Sequence, residues 1–415
     1  MRSFIEKIRS QFTRIPLLAW ILGFLIAAVI ERLIGSTLAL PLGLGKVPRL
    51  FGIRYMLEYP LLIPNIIAYL LLIYIVPISA IAKLITPLIK KLPSWSSMPL
   101  YLMAIYGALQ AWSGLDEYRV LVIQFILISI LLTVSLNLVN GYMGEFSCSS
   151  GGFMAVGAYI TSILTVGGFV YDDVFGSPIL PPALGPFMFP IALIIGGLIT
   201  ALTALLVAIP SFRTRGDYLA IISLAYTFIV KSTIENLEVV GGPRGLMNQP
   251  RWAGPTVVFV WALMGIWIMR NYVSSILGKG TQAVRDDEIG AEVMTVNTRR
   301  IKVVTFMLSA FWSGIAGGLF AHVMGYINPS TFGIMKTAEC LAMLYMGGLN
   351  SISGSIVGAV IYQILIEALR PMGIAKWMVI PVIIIIFMLR RPWGFIAFRE
   401  LAFLRREVKN APASD

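Results

Sequence analysis

Apolar residues come in long runs separated by short polar gaps over almost the whole chain. A run near 20 residues crosses the hydrocarbon core of a bilayer as a helix, at about 1.5 Å of rise per residue. Such runs are Pro16–Ile30, Leu61–Ala82, a shorter Met98–Trp112, Val120–Val139, Phe153–Val170, Phe187–Ile209, Tyr218–Leu237, Thr256–Met269 and Val303–Met324. Two half-length pieces follow, Ala338–Met346 and Ser355–Leu369, and Met378–Leu389 closes the series. The pattern predicts an all-α, polytopic transmembrane helical bundle. The first run follows Arg2, Lys7, Arg9 and Arg14, but no small-x-small cleavage site comes after it, so it reads as a retained anchor.

Two stretches break the pattern at membrane depth. Gly141–Gly157 and Gly347–Gly358 are both rich in Gly and Ser. Non-helical backbone persists in a bilayer only when it is buried in protein or lines a wet cavity. Paired Gly-interrupted segments in two halves of a chain point to broken helices, an internal repeat and a transport path. Close helix packing competes for the GxxxG pairs Gly314/Gly318 and Gly354/Gly358, since small residues let backbones approach.

Charge sharpens this picture. Charged residues make up 13% of the 415 positions, against roughly 25% in soluble domains. That excludes a cytosolic enzyme, a disordered chain and a nucleic-acid-binding protein. The net charge of +12 lies in the gaps between apolar runs, as in cytoplasmic membrane loops. Lys83, Lys90, Lys91, Arg213, Arg215, Arg270 through Lys302, and the tail with Arg390, Arg391, Arg399, Arg405 and Arg406 fall on one side. Asp116, Glu117, Asp172, Asp173, Glu235 and Glu238 fall on the other, so both termini are expected in the cytoplasm. Residues 31–60 fit least well, because Lys46, Arg49 and Arg54 would face outward. Cys148 and Cys340 make no CxxC motif, and the single histidine leaves too few soft ligands for a metal site, so no cofactor is expected. His322 reads as a packed residue rather than a proton relay, and Lys231 as a snorkelling one.

The longest polar stretch between spans is Gly278–Lys302. Within it Ala283, Val284, Ile289, Val293 and Val296 recur at helical spacing, predicting one amphipathic helix over Ala283–Val296. Its polar face mixes Arg285 with Asp286, Asp287 and Glu288, whereas a lipid-surface helix favours Lys and Arg. The mixture favours docking on a protein, with a solvated linker as the plainer alternative. No GxxxxGK[ST] phosphate loop is present, and Leu277-Gly-Lys-Gly-Thr281 lacks both the earlier glycine and the following Ser or Thr.

This stretch resembles the cytoplasmic coupling loop of permease subunits of ATP-binding-cassette importers. The Arg285–Ala291 run with Asn297, Arg300 and Lys302 is similar to the signature of the branched-chain amino acid permease family. So are Arg213–Ile221, Gly241–Leu246, Leu136–Gly141 with Gly157-Ala-Tyr159, and Arg390–Gly394. These matches fall in order over residues 120–394, about two thirds of the chain. The long N-terminal part resembles the LivM-type subunit more than its shorter LivH-type partner. Departures are Thr295, where the family usually has Gly, and Glu145 with Cys148 in the first Gly-rich element.

The resemblance implies residues 1–97 as an N-terminal membrane extension of about two spans, 98–394 as the permease core and 395–415 as a cytoplasmic tail. It implies a non-enzymatic half-channel in a bacterial or archaeal inner or plasma membrane. A LivH-type second permease would complete the pore, two ATPase subunits would drive it, and an extracytoplasmic substrate-binding protein would deliver branched-chain amino acid. Coupling falls to Arg285, Asp286, Asp287, Glu288, Ile289 and Glu292. Path lining or gating falls to Asn137, Gly144, Gly157, Arg215, Gly216, Asp217, Tyr218, Gly347 and Gly348. For Arg215, Gly216 and Asp217, a tight turn and a helix cap is an equal reading. Gly242, Pro243 and Gly245 would shape an outer loop near the binding-protein dock, or form a plain turn. Two alternatives stay open: a related permease for urea or short amides, and an ion-coupled secondary transporter using the span carboxylates Glu339 and Glu367.

Overall fold

The computed structural model describes residues 16–39, 63–89, 94–114, 116–171, 176, 178, 180–212, 218–391 and 394–396. Helix α1 spans Leu17–Ala39. Helix α2, Ile63–Leu70, continues through a π-helical turn at Leu71–Ile75 into α3, Val76–Ile89. Then come α4, Ser94–Ser113, and α5, Glu117–Asn137, which runs on as a π-helix over Leu138–Met143. Helices α6, Ser150–Phe169, α7, Gly185–Ser211, α8, Tyr218–Asn236, and α9, Pro255–Ser274, follow. Two short helices, α10 at Ile276–Asp286 and α11 at Glu288–Val293, precede α12, Thr298–Met324. The last are α13, Ile334–Gly347, α14, Ile352–Ala368, and α15, Lys376–Arg390.

The fold is all-α, as the hydropathy pattern predicts, and the described part of each predicted run is helical except at end residues such as Pro16, Val170, Leu237 and Leu369; residues 61 and 62 of the second run lie outside the described residues. Among the described residues, nine helices are long and apolar enough to cross a membrane, and α13 with α14 forms a further pair bent by 120°. Helix α4 holds the short Met98–Trp112 run and is not one of the nine.

The chain divides into two compact units, residues 1–123 with 365–379, and residues 124–364 with 380–415. In the first, α1 packs against α3 and α4. Its buried centre is a carboxylate, Glu31, which takes two bonds from Arg119 at 2.9 and 3.0 Å, one from the Tyr69 hydroxyl at 3.3 Å and one from the Tyr74 hydroxyl. Arg119 also lies over the Trp112 ring. A charge this deep is tolerable because its oxygens are all engaged.

In the second unit α12 is the central helix, packed along α6 and α7. Lipid tails give helices no hydrophobic reason to associate, so close approach of small residues supplies the packing. A Cβ on Gly157 would lie 2.1 Å from the Gly314 carbonyl oxygen, and one on Gly317 would lie 2.0 Å from that of Met154. Gly314 and Gly318 are thus packing residues. His322 is buried on the same helix, with Nδ1 2.8 Å from the Gly318 carbonyl and Nε2 2.9 Å from the Thr165 hydroxyl. Both ring nitrogens are occupied and Phe189 packs on the ring, which fits the packed role expected of it.

Candidate translocation path and coupling segment

The first Gly-rich interruption is shorter than its composition suggests. The π-helix after α5 ends at Gly144, whose φ of 76° favours glycine. A side chain there would meet Arg285, since a Cβ would sit 2.4 Å from Arg285 Cγ. Only residues 144–149 lie outside helices; Gly151, Gly152 and Gly157 are part of α6. Backbone at this depth needs partners, and side chains supply them. Asn140 Oδ1 accepts from the Ser147 backbone N–H at 3.3 Å, and Asn140 Nδ2 donates to the Ser147 carbonyl at 3.4 Å. The next residue is held from α8: the Cys148 N–H donates to Ser223 Oγ at 2.8 Å, and Thr227 Oγ1 donates to the Cys148 carbonyl at 3.0 Å.

The second interruption is likewise confined to residues 348–351, with Gly354 and Gly358 inside α14. Gly347 packs against this helix so closely that a Cβ would lie 2.1 Å from the Gly354 carbonyl oxygen. The last carbonyls of α13 receive donors from the segment after α15, Phe395 N to Met346 O at 3.0 Å and Ile396 N to Gly347 O at 2.9 Å. A helix end buried without such partners would be costly. Gly394, which ends the Arg390–Gly394 run, lies against Gly348.

Asn137 ties the end of α5, ahead of the first break, to the second break. From the last turn of α5 its Nδ2 donates to the Ser351 carbonyl at 2.9 Å and to Ser355 Oγ at 2.8 Å, while its Oδ1 accepts from the Asn350 N–H at 3.2 Å. Asn137, Ser351 and Ser355 are fully buried. A single amide therefore satisfies backbone on the far side of a gap more than two hundred residues long.

The predicted single helix over Ala283–Val296 is two helices. Asp287 is extended, with φ −158°, and its Oδ1 accepts from the N–H groups of Ile289 and Gly290 at 3.0 Å each. That cap starts a new helix where the periodicity would continue the old one. The apolar positions part accordingly. Val284 and Ala291 are buried, whereas Ile289, Val293 and Met294 are 66%, 76% and 76% exposed. The carboxylates of α11 are exposed too but contact its own chain: Glu288 lies 2.9 Å from Lys302 Nζ, and Glu292 accepts from Thr298 Oγ1 at 3.1 Å. Arg285 pairs with Asp286 at 2.7 Å. Thr295 closes the turn at φ 64°, a left-handed conformation that favours glycine. Helix α10 is held by hydroxyls, with Thr281 Oγ1 3.2 Å from Thr305 Oγ1 and Tyr272 OH 2.7 Å from the same atom.

The remaining predicted residues lie apart from this cluster. Gly157 is packed between helices, and Tyr218 is exposed at the start of α8. Arg215, Gly216 and Asp217 lie outside the described residues. Gly242 and Pro243 begin a 3-10 turn ending at Arg244, and Gly245 passes so near Ile327 that a Cβ would sit 2.1 Å from its carbonyl oxygen. That approach lets Leu246 and Ile327 exchange backbone bonds of 3.0 and 3.1 Å, while Tyr326 OH donates to the Arg244 carbonyl. Lys231 pairs with Glu235 at 3.6 Å rather than standing alone. Glu339 pairs with Lys336 at 2.9 Å, and Glu367 takes Tyr118 OH and Arg370. Sequence reading missed Asn140, Ser223 and Thr227 as functional positions. Asn140 stands in a quoted motif, and Ser223 and Thr227 are four apart on one helical face, the spacing that lets two hydroxyls reach one residue.

Residues 119–389 match the family described as the branched-chain amino acid transport system permease component. LivM, the high-affinity branched-chain amino acid transport system permease protein of Escherichia coli (strain K12), is 27% identical over 333 residues, covering 72% of this chain and 74% of LivM. LivH of the same organism is 30% identical over 108 residues, 26% of this chain and 34% of LivH. LsrC, an autoinducer 2 import system permease of Salmonella paratyphi B, is 26% identical over 131 residues, 30% of this chain and 37% of LsrC. No solved structure matches the chain significantly. With a polytopic helical body and a family match over well more than half its length, the chain belongs to the branched-chain amino acid permease family of ATP-binding-cassette importers.

Proposed function

We propose that the chain is the LivM-type half of the membrane path of an importer for branched-chain amino acids, lying in the inner membrane with both termini in the cytoplasm. A LivH-type permease completes the path. Two ATPase subunits bind the α11 face, and an extracytoplasmic binding protein delivers substrate to the loop of Gly242, Pro243 and Gly245. The observation that carries the reading is α11 itself. It exposes Ile289 and Val293, with Met294 just past its end, while its carboxylates Glu288 and Glu292, though exposed, bond back to Lys302 and Thr298 of its own chain, and water alone does not favour such an apolar face. An apolar groove on a partner ATPase would cover them.

The test is radiolabelled leucine uptake into membrane vesicles holding the chain with its neighbouring subunits. ATP inside the vesicle is compared with an ion gradient alone, with cold urea as competitor. ATP-dependent, urea-insensitive uptake is expected. Changing Asp287→Lys with Glu288→Lys should abolish it while the protein stays inserted, because the cap and the Lys302 contact are both lost. Normal uptake in that variant would sink the coupling role. Gradient-driven uptake without ATP would overturn the importer reading and turn attention to Glu339 and Glu367.

A further inference from the structure

The Lys302 ammonium, on the first turn of α12, is the meeting point of two carboxylates from different elements. Its Nζ donates to Glu145 Oε1 at 2.8 Å, in the non-helical segment of the first break, and lies 2.9 Å from Glu288 Oε1, in the first turn of α11. The lysine side chain is 10% exposed, and its Nζ lies 5.9 Å from the centre of the Phe212 ring. One residue before Glu145, Gly144 rests on the side chain of Arg285 at the end of α10. The polar segment therefore touches the first break at two adjacent residues, one contact steric and one ionic.

The two ionic contacts are unequal. Glu145 is 23% exposed and Glu288 44%. Solvent screening makes the more exposed pair the weaker one. One ammonium faces two carboxylates, so the trio carries net charge −1. Withdrawing Glu288 leaves a neutral Lys302–Glu145 pair, whereas withdrawing Lys302 leaves two like charges unopposed. The contact to Glu288 is thus the one that can open at low cost.

We propose that Lys302 is a positioning residue for transport, the joint through which movement of α11 is passed to residues 144–149. This rests on the importer reading above. When an ATPase shifts α11, Glu288 is drawn from the ammonium, and Lys302 and Glu145 re-seat. Glu145 lies two residues before Ser147, where Asn140 holds the backbone, and three before Cys148, where Ser223 and Thr227 hold it. The displacement therefore reaches the non-helical segment along the chain.

The experiment uses the whole complex in liposomes with its binding protein, and reads leucine transported per ATP hydrolysed alongside ATPase rate and thermal stability. Lys302→Met should keep ATPase activity stimulated by leucine-loaded binding protein, yet lower the transport ratio about tenfold, a coupling loss of ordinary size. Glu288→Gln should lower the ratio with stability unchanged, since that carboxylate is half exposed. Lys302→Arg should stay near wild type, and the charge-reversed triple variant Lys302→Glu, Glu145→Lys, Glu288→Lys should recover part of the ratio. An unchanged ratio in Lys302→Met and Glu288→Gln, in a wild-type complex that transports with ATP, would overturn the Lys302 role alone. So would a loss that follows stability and is not recovered by Lys302→Arg. A wild-type complex without ATP-driven uptake would overturn the importer reading and this role together.

Discussion

At the scale of the residue, Asn137 shows how much a polar group at membrane depth can organise. It offers two donors and an acceptor, and the second break takes both kinds. Removing a buried partner leaves the opposing group unsatisfied, at about 1–3 kcal/mol each. Asn137→Ala should therefore lower the melting temperature in detergent, and Asn137→Asp should lower it further by setting a carboxylate against the Ser351 carbonyl. Ser355→Ala should cost less, because Asn137 retains the Ser351 carbonyl. A melting curve of Asn137→Ala identical to wild type would show that the amide is dispensable. Asn137 was legible in the sequence as a polar residue inside an apolar run, four residues before Gly141. Its partners were not, because they lie beyond residue 349 and no local pattern encodes a contact of that range.

At the scale of the element, the first break is held by two hydroxyls of α8 on the N–H and carbonyl of one residue, Cys148. Ser223→Ala with Thr227→Val should free both backbone groups of Cys148 while keeping helix α8 apolar enough to stay in place. The half-buried Cys148 thiol should then react faster with a maleimide, and the buried Cys340 should serve as an unchanged internal reference. Unchanged Cys148 labelling would mean that Asn140 alone fixes the segment. The breaks were visible in composition, but their extent was not. Glycines that read as interruption, such as Gly157 and Gly358, turn out to be helical and used for close approach. The two uses share one residue type and differ only in what stands opposite. The same limit applies to the polar segment, where helical spacing continues across Asp287 but the aspartate cap divides it.

At the scale of the whole molecule, the distribution of Lys and Arg predicts which side each loop faces. In a background with Cys148→Ser and Cys340→Ser, a cysteine at exposed Lys279 should be labelled only when reagent reaches the cytoplasmic side. One at exposed Val239 should be labelled from outside intact cells. The opposite pattern would invert the topology and move α11 away from any cytoplasmic ATPase.

Sequence alone determined the all-α membrane body, the place of the long apolar helices and the existence of two breaks. These are local consequences of run length and composition, because a bilayer requires every crossing segment to satisfy its own backbone. Tertiary structure decided which residues satisfy the backbone where the helices stop, that Asn137 ties the end of α5 to the second break, and that Lys302 stands between Glu145 and Glu288. It also decided that α11 faces its apolar side outward. Each depends on side chains brought together from distant parts of the chain, and hydropathy, which averages over neighbours, carries no record of them.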